Sequence, residues 1–285
     1  LNIPIKALRS RKSVNLFSTI DPEMGKKHPL QILVADDNRV NQLVIVGLLE
    51  KLGYQADIAI NGVEVLQSLE KCQYDLILMD CHMPQMDGFD ATKEICKKYE
   101  KAKRPRIVAL TASTTKEDID HCIESGMNGF IAKPIVLGTL IKSLTEIQSL
   151  STKIESVKDF KTKSKHCFST FDCNTFMSNY QEIEDLAFEA IQVFLSTLPT
   201  LTSAIEESIH AKNFKAIELS AHTLKGAVSN FYAEQSRILA WKIEQMGHEK
   251  KIDGIQNIFD DLMLELKKFS EELQKLEEEK AVYGK

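Results

Sequence analysis

The stretch Asp75-Leu76-Ile77-Leu78-Met79-Asp80-Cys81-His82-Met83-Pro84-Gln85-Met86-Asp87-Gly88 decides how the first half of this chain folds. Its opening is a short apolar run bounded by polar residues, the pattern of a strand buried on both faces. Asp80 stands at the carboxyl end of that run, and Pro84 and Gly88 punctuate the loop that follows. In open α/β sheets, ligands bind beyond the carboxyl ends of the strands. A lone aspartate there serves equally well as the cap of a helix starting near Gly88. A second acidic site upstream separates the two readings.

Strand-like runs recur over 31–35, 54–60, 106–110 and 128–132, alternating with amphipathic helical patterns over 40–52, 61–69, 89–99, 113–125 and 135–150. Asn38 is a cap for the first helix and Gly53 its stop. Five strands alternating with five helices predict an α/β fold, a doubly wound five-stranded parallel sheet covered on both faces. Such a sheet brings its strand ends to one edge. Asp36 and Asp37 end the first strand, Asp80 the third, Thr111 the fourth and Lys133 the fifth. Three crowded carboxylates repel one another and favour a hard divalent cation with oxygen ligands. A hydroxyl and an ammonium opposite them suit a phosphoryl group. Taken singly, each has a plainer reading: helix caps, a strand threonine, a surface lysine before a turn proline.

The motifs Val34-Ala35-Asp36-Asp37-Asn38, Met79 to Gly88, Ala109-Leu110-Thr111-Ala112 and Ile131-Ala132-Lys133-Pro134 make residues 30–150 resemble the receiver (response-regulator) domains of two-component signalling. The resemblance implies a flavodoxin-like fold with Asp80 as phosphoacceptor. It implies Mg²⁺ held by Asp36, Asp37, Asp80 and the backbone carbonyl of His82, with Thr111 and Lys133 on the phosphoryl oxygens. Phe130 matches the aromatic switch position that responds to Thr111, the plainer alternative being a core aromatic; Ala112 leaves room beside the phosphate. The Cys81-His82 pair lacks a second Cys or His at ligand spacing, so both read as variable loop side chains.

Residues 151–169 are lysine-rich without long apolar periodicity and read as a linker of roughly 25 Å root-mean-square reach. Residues 170–278 are helical in period throughout, with expected helices over 181–210, 213–231, 233–246 and 252–276, and a tail over 279–285. Pro199 is expected to kink or interrupt the first. Short connections predict an all-α antiparallel bundle. On the second helix His222 shares a row with Glu218, Lys225, Gly226 and Ser229, away from the apolar face, and is expected to be exposed. It is an ordinary surface histidine, or a nucleophilic imidazole with Gly226 clearing space for a partner and Lys225 steadying phosphate charge.

The run Ser220-Ala221-His222-Thr223-Leu224-Lys225-Gly226 is similar to the signature of histidine-containing phosphotransfer (HPt) domains, over about 171–276. His222 is then the phosphorylated residue. In Asn230-Phe231-Tyr232-Ala233 the chain departs from relatives that carry glycine before the alanine.

The chain has 285 residues, about two domains' worth, and a net charge of -5 that gives no reason to expect a nucleic-acid partner. Six scattered cysteines point to reduced thiols, and no apolar run approaches a membrane span, so a cytoplasmic site without direct membrane contact is expected, which leaves a membrane anchor elsewhere in the parent protein open. Residues 1–29 read as a basic linker; Leu1 to Lys6 faintly echoes the 131–135 motif, as the tail of an upstream domain would. The order of the two domains resembles the C-terminal part of a hybrid sensor histidine kinase. A Gly-rich ATP lid and a kinase-type Asn box are absent, so enzymatic activity stays open. The implied route is a phosphorelay: from a histidine kinase domain to Asp80, to His222, and on to a separate response regulator, or the reverse. Two rivals are a docking scaffold that is never phosphorylated and an Asp-nucleophile phosphatase. The latter needs a second aspartate where His82 stands.

Overall fold

The computed structural model describes residues 20–112, 116–148, 168–180 and 183–283. Strands β1 (Ile32–Ala35), β2 (Ala56–Ala59), β3 (Leu76–Asp80), β4 (Arg106–Thr111) and β5 (Gly129–Ala132) form one sheet. All pairings are parallel, in the order β2-β1-β3-β4-β5. Helices α1 (Met24–Lys27), α2 (Arg39–Lys51), α3 (Gly62–Lys71), α4 (Gly88–Lys98), α5 (Lys116–Ser125) and α6 (Leu137–Gln148) accompany it. The expected starts of α5 at 113 and the end of α6 at 150 lie outside the described residues.

Strand periodicity divides the apolar residues between two faces. Ile32, Val34, Leu76 and Leu78 pack with Val44 and Leu48 of α2 and Leu140 of α6. Leu33, Ala35, Ile77 and Met79 pack with residues of α3, α4 and α5. Side chains set the helix starts: Asn38 Oδ1 accepts from the Val40 amide at 2.9 Å, and Asp87 Oδ1 from the Asp90 amide at 2.8 Å. Gly88 is required where α4 begins, since a Cβ there would lie 2.1 Å from the Asp80 carbonyl oxygen. The segment expected as basic linker folds at its end into α1. Its Gly25 amide donates to the Leu52 carbonyl at 2.8 Å, and Met24 joins the core.

The second half comprises α7 (Cys173–Asn179), α8 (Glu184–His210), α9 (Phe214–Ser229), α10 (Glu234–His248) and α11 (Ile255–Tyr283). Phe176, Phe194, Phe231 and Phe269 are fully buried at its centre, with Phe194 and Phe231 centroids 4.9 Å apart. Two expectations change here. Pro199 does not interrupt α8, because Phe194 and Ile205 anchor the helix in the core on either side of it. The expected tail is instead mostly helix: α11 runs to Tyr283 through Glu, Lys and Ala, which are good helix formers, past the buried Leu276. Tyr232 stands where the sequence departs from glycine and has φ 57°, in the left-handed region. Its hydroxyl is held by the Asn179 amide.

The bundle and the sheet unit share one continuous apolar core. Gly47 of α2 makes this possible. A Cβ at that position would come within 2.5 Å of Leu186 Cδ1 on α8. Among the described residues no helix is long and apolar enough to cross a membrane.

Candidate functional site

From β1 the sheet order runs to β2 on one side and to β3 on the other, so a cleft opens beyond the carboxyl ends of β1 and β3. Asp36 and Asp37 follow β1, and Asp80 ends β3. One carboxylate oxygen from each lies within 4.8 Å of the others. Lys133, just past β5, reaches across. Its Nζ donates to Asp36 Oδ2 at 2.9 Å and Asp80 Oδ2 at 2.8 Å. The Lys133 amide donates to the Thr111 carbonyl at 2.7 Å, which fixes the ends of β4 and β5 together.

The charge balance of this cleft is uneven. Burial pushes the Asp37 carboxyl up to about 7, and the charges of Asp80 and Asp36 add to that; burial also raises Asp36. Burial alone would lower Lys133, but Asp36 and Asp80 outweigh it and hold the ammonium above its ordinary range. Three carboxylates against one ammonium, all hard oxygen donors, fit a divalent cation such as Mg²⁺. The His82 amide lies 3.5 Å from Asp80 Oδ1, so the backbone named as the fourth ligand borders the cluster. Phe130 is half-buried on β5 against the second core, paired in register with Ala109.

Cys81 and His82, read in the sequence as variable loop side chains, each make a specific contact. Cys81 is buried beside Cys122, whose hydrogen bond, with burial, holds its thiol above the ordinary range. The His82 ring packs edge-on against His222, centroids 4.5 Å apart. Desolvation and the neighbouring His222 push the His82 imidazole down to about 4, although the residue as a whole stays exposed.

His222 was expected to be exposed, and it is 7% exposed. The periodicity places it correctly off the bundle's apolar face; the α/β unit then docks over it. Its Nδ1 lies 2.6 Å from Glu244 Oε1, and Lys225 Nζ lies 2.5 Å from Glu244 Oε2. Burial alone would raise Glu244, but the bond to His222 and the charges beside it bring its carboxyl down to about 2. Burial and Lys225 lower His222, outweighing Glu244. A neutral imidazole beside a carboxylate that can only accept carries its proton on Nδ1. The lone pair is therefore on Nε2.

Asp80, Thr111, Ala112, His82, His222 and Lys225 line one cavity of about 390 Å³ between the two halves. Trp241, Gln245 and His248 of α10 also line it. Polar contacts cross beside it: Asn38 Nδ2 donates to the Thr223 carbonyl at 2.9 Å, and the Thr223 hydroxyl lies 3.0 Å from Asp37 Oδ2. The sequence reading missed Glu244, Asn38 as a contact, Asn41 and Thr223. Glu244 had a signal. It interrupts the stripe of Ala240, Ile243 and Gly247, where an apolar residue is expected.

Comparison with known proteins gives the two halves separate matches. The family model for the response regulator receiver domain matches residues 32–145, and that for the Hpt domain matches residues 189–279. Histidine protein kinase 1 of Candida albicans is 40% identical over 154 residues, covering 50% of this chain and 6% of that protein. The aerobic respiration control sensor protein ArcB of Escherichia coli is 29% identical over 203 residues, covering 70% of this chain and 26% of that protein. The chain thus spans about a quarter or less of the length of these relatives. A solved structure, the receiver domain of a Pseudomonas aeruginosa sensor histidine kinase with magnesium in its active-site cleft, is 40% identical with a TM-score of 0.39. It covers 42% of this chain and 98% of that one.

Proposed function

This chain being a response regulator receiver domain followed by an Hpt domain, we propose that it relays a phosphoryl group between Asp80 and His222. The observation that carries the reading is the single cavity shared by the Asp80 carboxylate and the His222 imidazole. A kinase phosphohistidine gives its phosphoryl group to an Asp80 oxygen: a P–O bond forms and the donor P–N bond breaks. His222 Nε2 then attacks the phosphorus, a P–N bond forms, and the acyl P–O bond breaks to return the Asp80 carboxylate. The Nδ1 proton stays with His222 throughout, held by Glu244.

The transition state is loose, with charge on the equatorial oxygens, so the site acts mainly by positioning and cationic stabilisation. Lys133, bonded to Asp80, and Lys225, lining the cavity, supply positive charge, and Thr111 offers a hydroxyl to a phosphoryl oxygen. Asp36, Asp37, Asp80 and the His82 carbonyl would hold Mg²⁺, which supplies further charge neutralisation when bound. Phe130 takes the switch role, with Thr111 drawn to the phosphoryl group. The partners on this reading are a histidine kinase domain and a downstream receiver domain.

The test is to incubate the chain with a ³²P-labelled histidine kinase domain and Mg²⁺, following label at both residues. Label should reach Asp80 first and His222 later. Asp80→Asn should lose both, and His222→Gln should trap label on Asp80. Label on neither residue, or on His222 in the Asp80→Asn chain, overturns the proposed order.

A further inference from the structure

We infer that the Asn41–Asn230 hydrogen bond is a specificity lock that sets the register of this receiver on its own Hpt domain and ties docking to the acidic site. The inference rests on the relay proposed above for its kinetic consequence, though not for the docking itself.

Asn230, at the carboxyl end of α9, donates from Nδ2 to Asn41 Oδ1 at 2.7 Å across the interface. Both residues are buried, at 6% and 3% exposure. The Asn41 amide nitrogen in turn donates to both oxygens of Asp36, at 3.0 and 3.1 Å. Asp36 and Asp80 are joined through Lys133. A continuous run of buried polar contacts therefore leads from α9 to the phosphoacceptor carboxylate. Gly226 faces Asn41 across the interface: a Cβ there would lie 3.4 Å from Asn41 Nδ2, in ordinary contact.

A buried amide pair adds little net stability, but leaving one member unpaired carries the full desolvation penalty. Sliding α9 along α2, or docking a partner without the matching amide, leaves the Asn41 side-chain oxygen buried without its donor. Polar pairs inside apolar interfaces select register for this reason. The second role follows from Asn41 itself. It can hold Asp36 with its nitrogen and Asn230 with its oxygen in one orientation only, so a docked Hpt domain fixes the amide that orients a carboxylate of the acidic cluster.

The experiment uses the full chain with Mg²⁺ and a small acyl phosphate as donor, comparing Asn230→Leu, Asn41→Leu and the double variant. Two quantities are read: transfer from Asp80 to His222 normalised to Asp80 label, and acrylamide quenching of Trp241, which lines the interdomain cavity. In Asn230→Leu, transfer normalised to the Asp80 label should fall about tenfold. Quenching of Trp241 should rise. In the double variant both should recover in part, because the amide pair is then absent as a whole while Asp36 still lacks its bonds to Asn41. Wild-type transfer and quenching in Asn230→Leu overturn the lock, as do two single effects that simply add. If wild-type chain labels Asp80 and never His222, the relay fails; the quenching comparison still decides the lock.

Discussion

Glu244→Gln removes one buried charge at almost constant volume, which makes its effect calculable. The carboxyl falls from an ordinary 4.5 to about 2: burial opposes the drop, and the bonds to His222 and Lys225 with the Lys225 charge overcome it. At about 1.4 kcal/mol per pH unit this corresponds to about 3 kcal/mol of folding stability at neutral pH. The folded value lies below the unfolded one, so the contribution is complete above pH 4.5 and disappears as pH falls towards 2. Urea unfolding of wild type and Glu244→Gln, followed by the fluorescence of Trp241, should differ by about 3 kcal/mol at pH 7. At pH 3.5 the gap should narrow by roughly 1.4 kcal/mol. Phosphotransfer separates the roles of charge and geometry. Glutamine still accepts from His222 Nδ1 and should keep transfer within a few-fold, whereas Glu244→Ala should slow it about tenfold or more. Equal stabilities at pH 7, or a gap unchanged at pH 3.5, would refute the assignment of Glu244 as the counter-charge of this site.

Asp37→Asn should stabilise the metal-free chain by on the order of 4 kcal/mol at pH 8, because Asp37 is raised to about 7 and so destabilises as pH climbs from about 4. Thermal melts should show that gain vanish at pH 4, and added Mg²⁺ should stabilise wild type but not the variant. Gly47→Glu would drive a side chain into Leu186; Asp80 labelling by a small donor should persist while transfer to His222 falls, and small-angle scattering should report a more extended particle. Phe231→Ala, at the centre of the four buried phenylalanines, should cost the bundle about 3–5 kcal/mol in urea titrations.

The convergence of Asp36, Asp37, Asp80 and Lys133 was legible because a parallel sheet aligns its carboxyl ends, and strand ends can be read from short apolar runs. The helix row carrying His222 was legible for a similar reason, from a 3.6-residue period. What covers that row was not. Periodicity separates an apolar face from a polar one within a helix, but says nothing about a second unit docking on the polar face. Asn38, Asn41 and Thr223 look like ordinary cap and surface residues in sequence, and become contacts only once α2 meets α9. Tyr232 was visible as a departure from glycine; that the turn keeps its left-handed backbone regardless follows from a hydroxyl partner on α7, 53 residues away.

The burial of His222 has a consequence for traffic through the relay. An imidazole with 7% of its surface accessible can serve one visitor at a time, and here the tethered domain already stands in front of it. Any outside acceptor has to displace that resident, so onward delivery competes with a neighbour whose local concentration never dilutes. Separation of the two halves is thus a step in its own right, and the rate at which they part sets an upper bound on how fast the signal can leave.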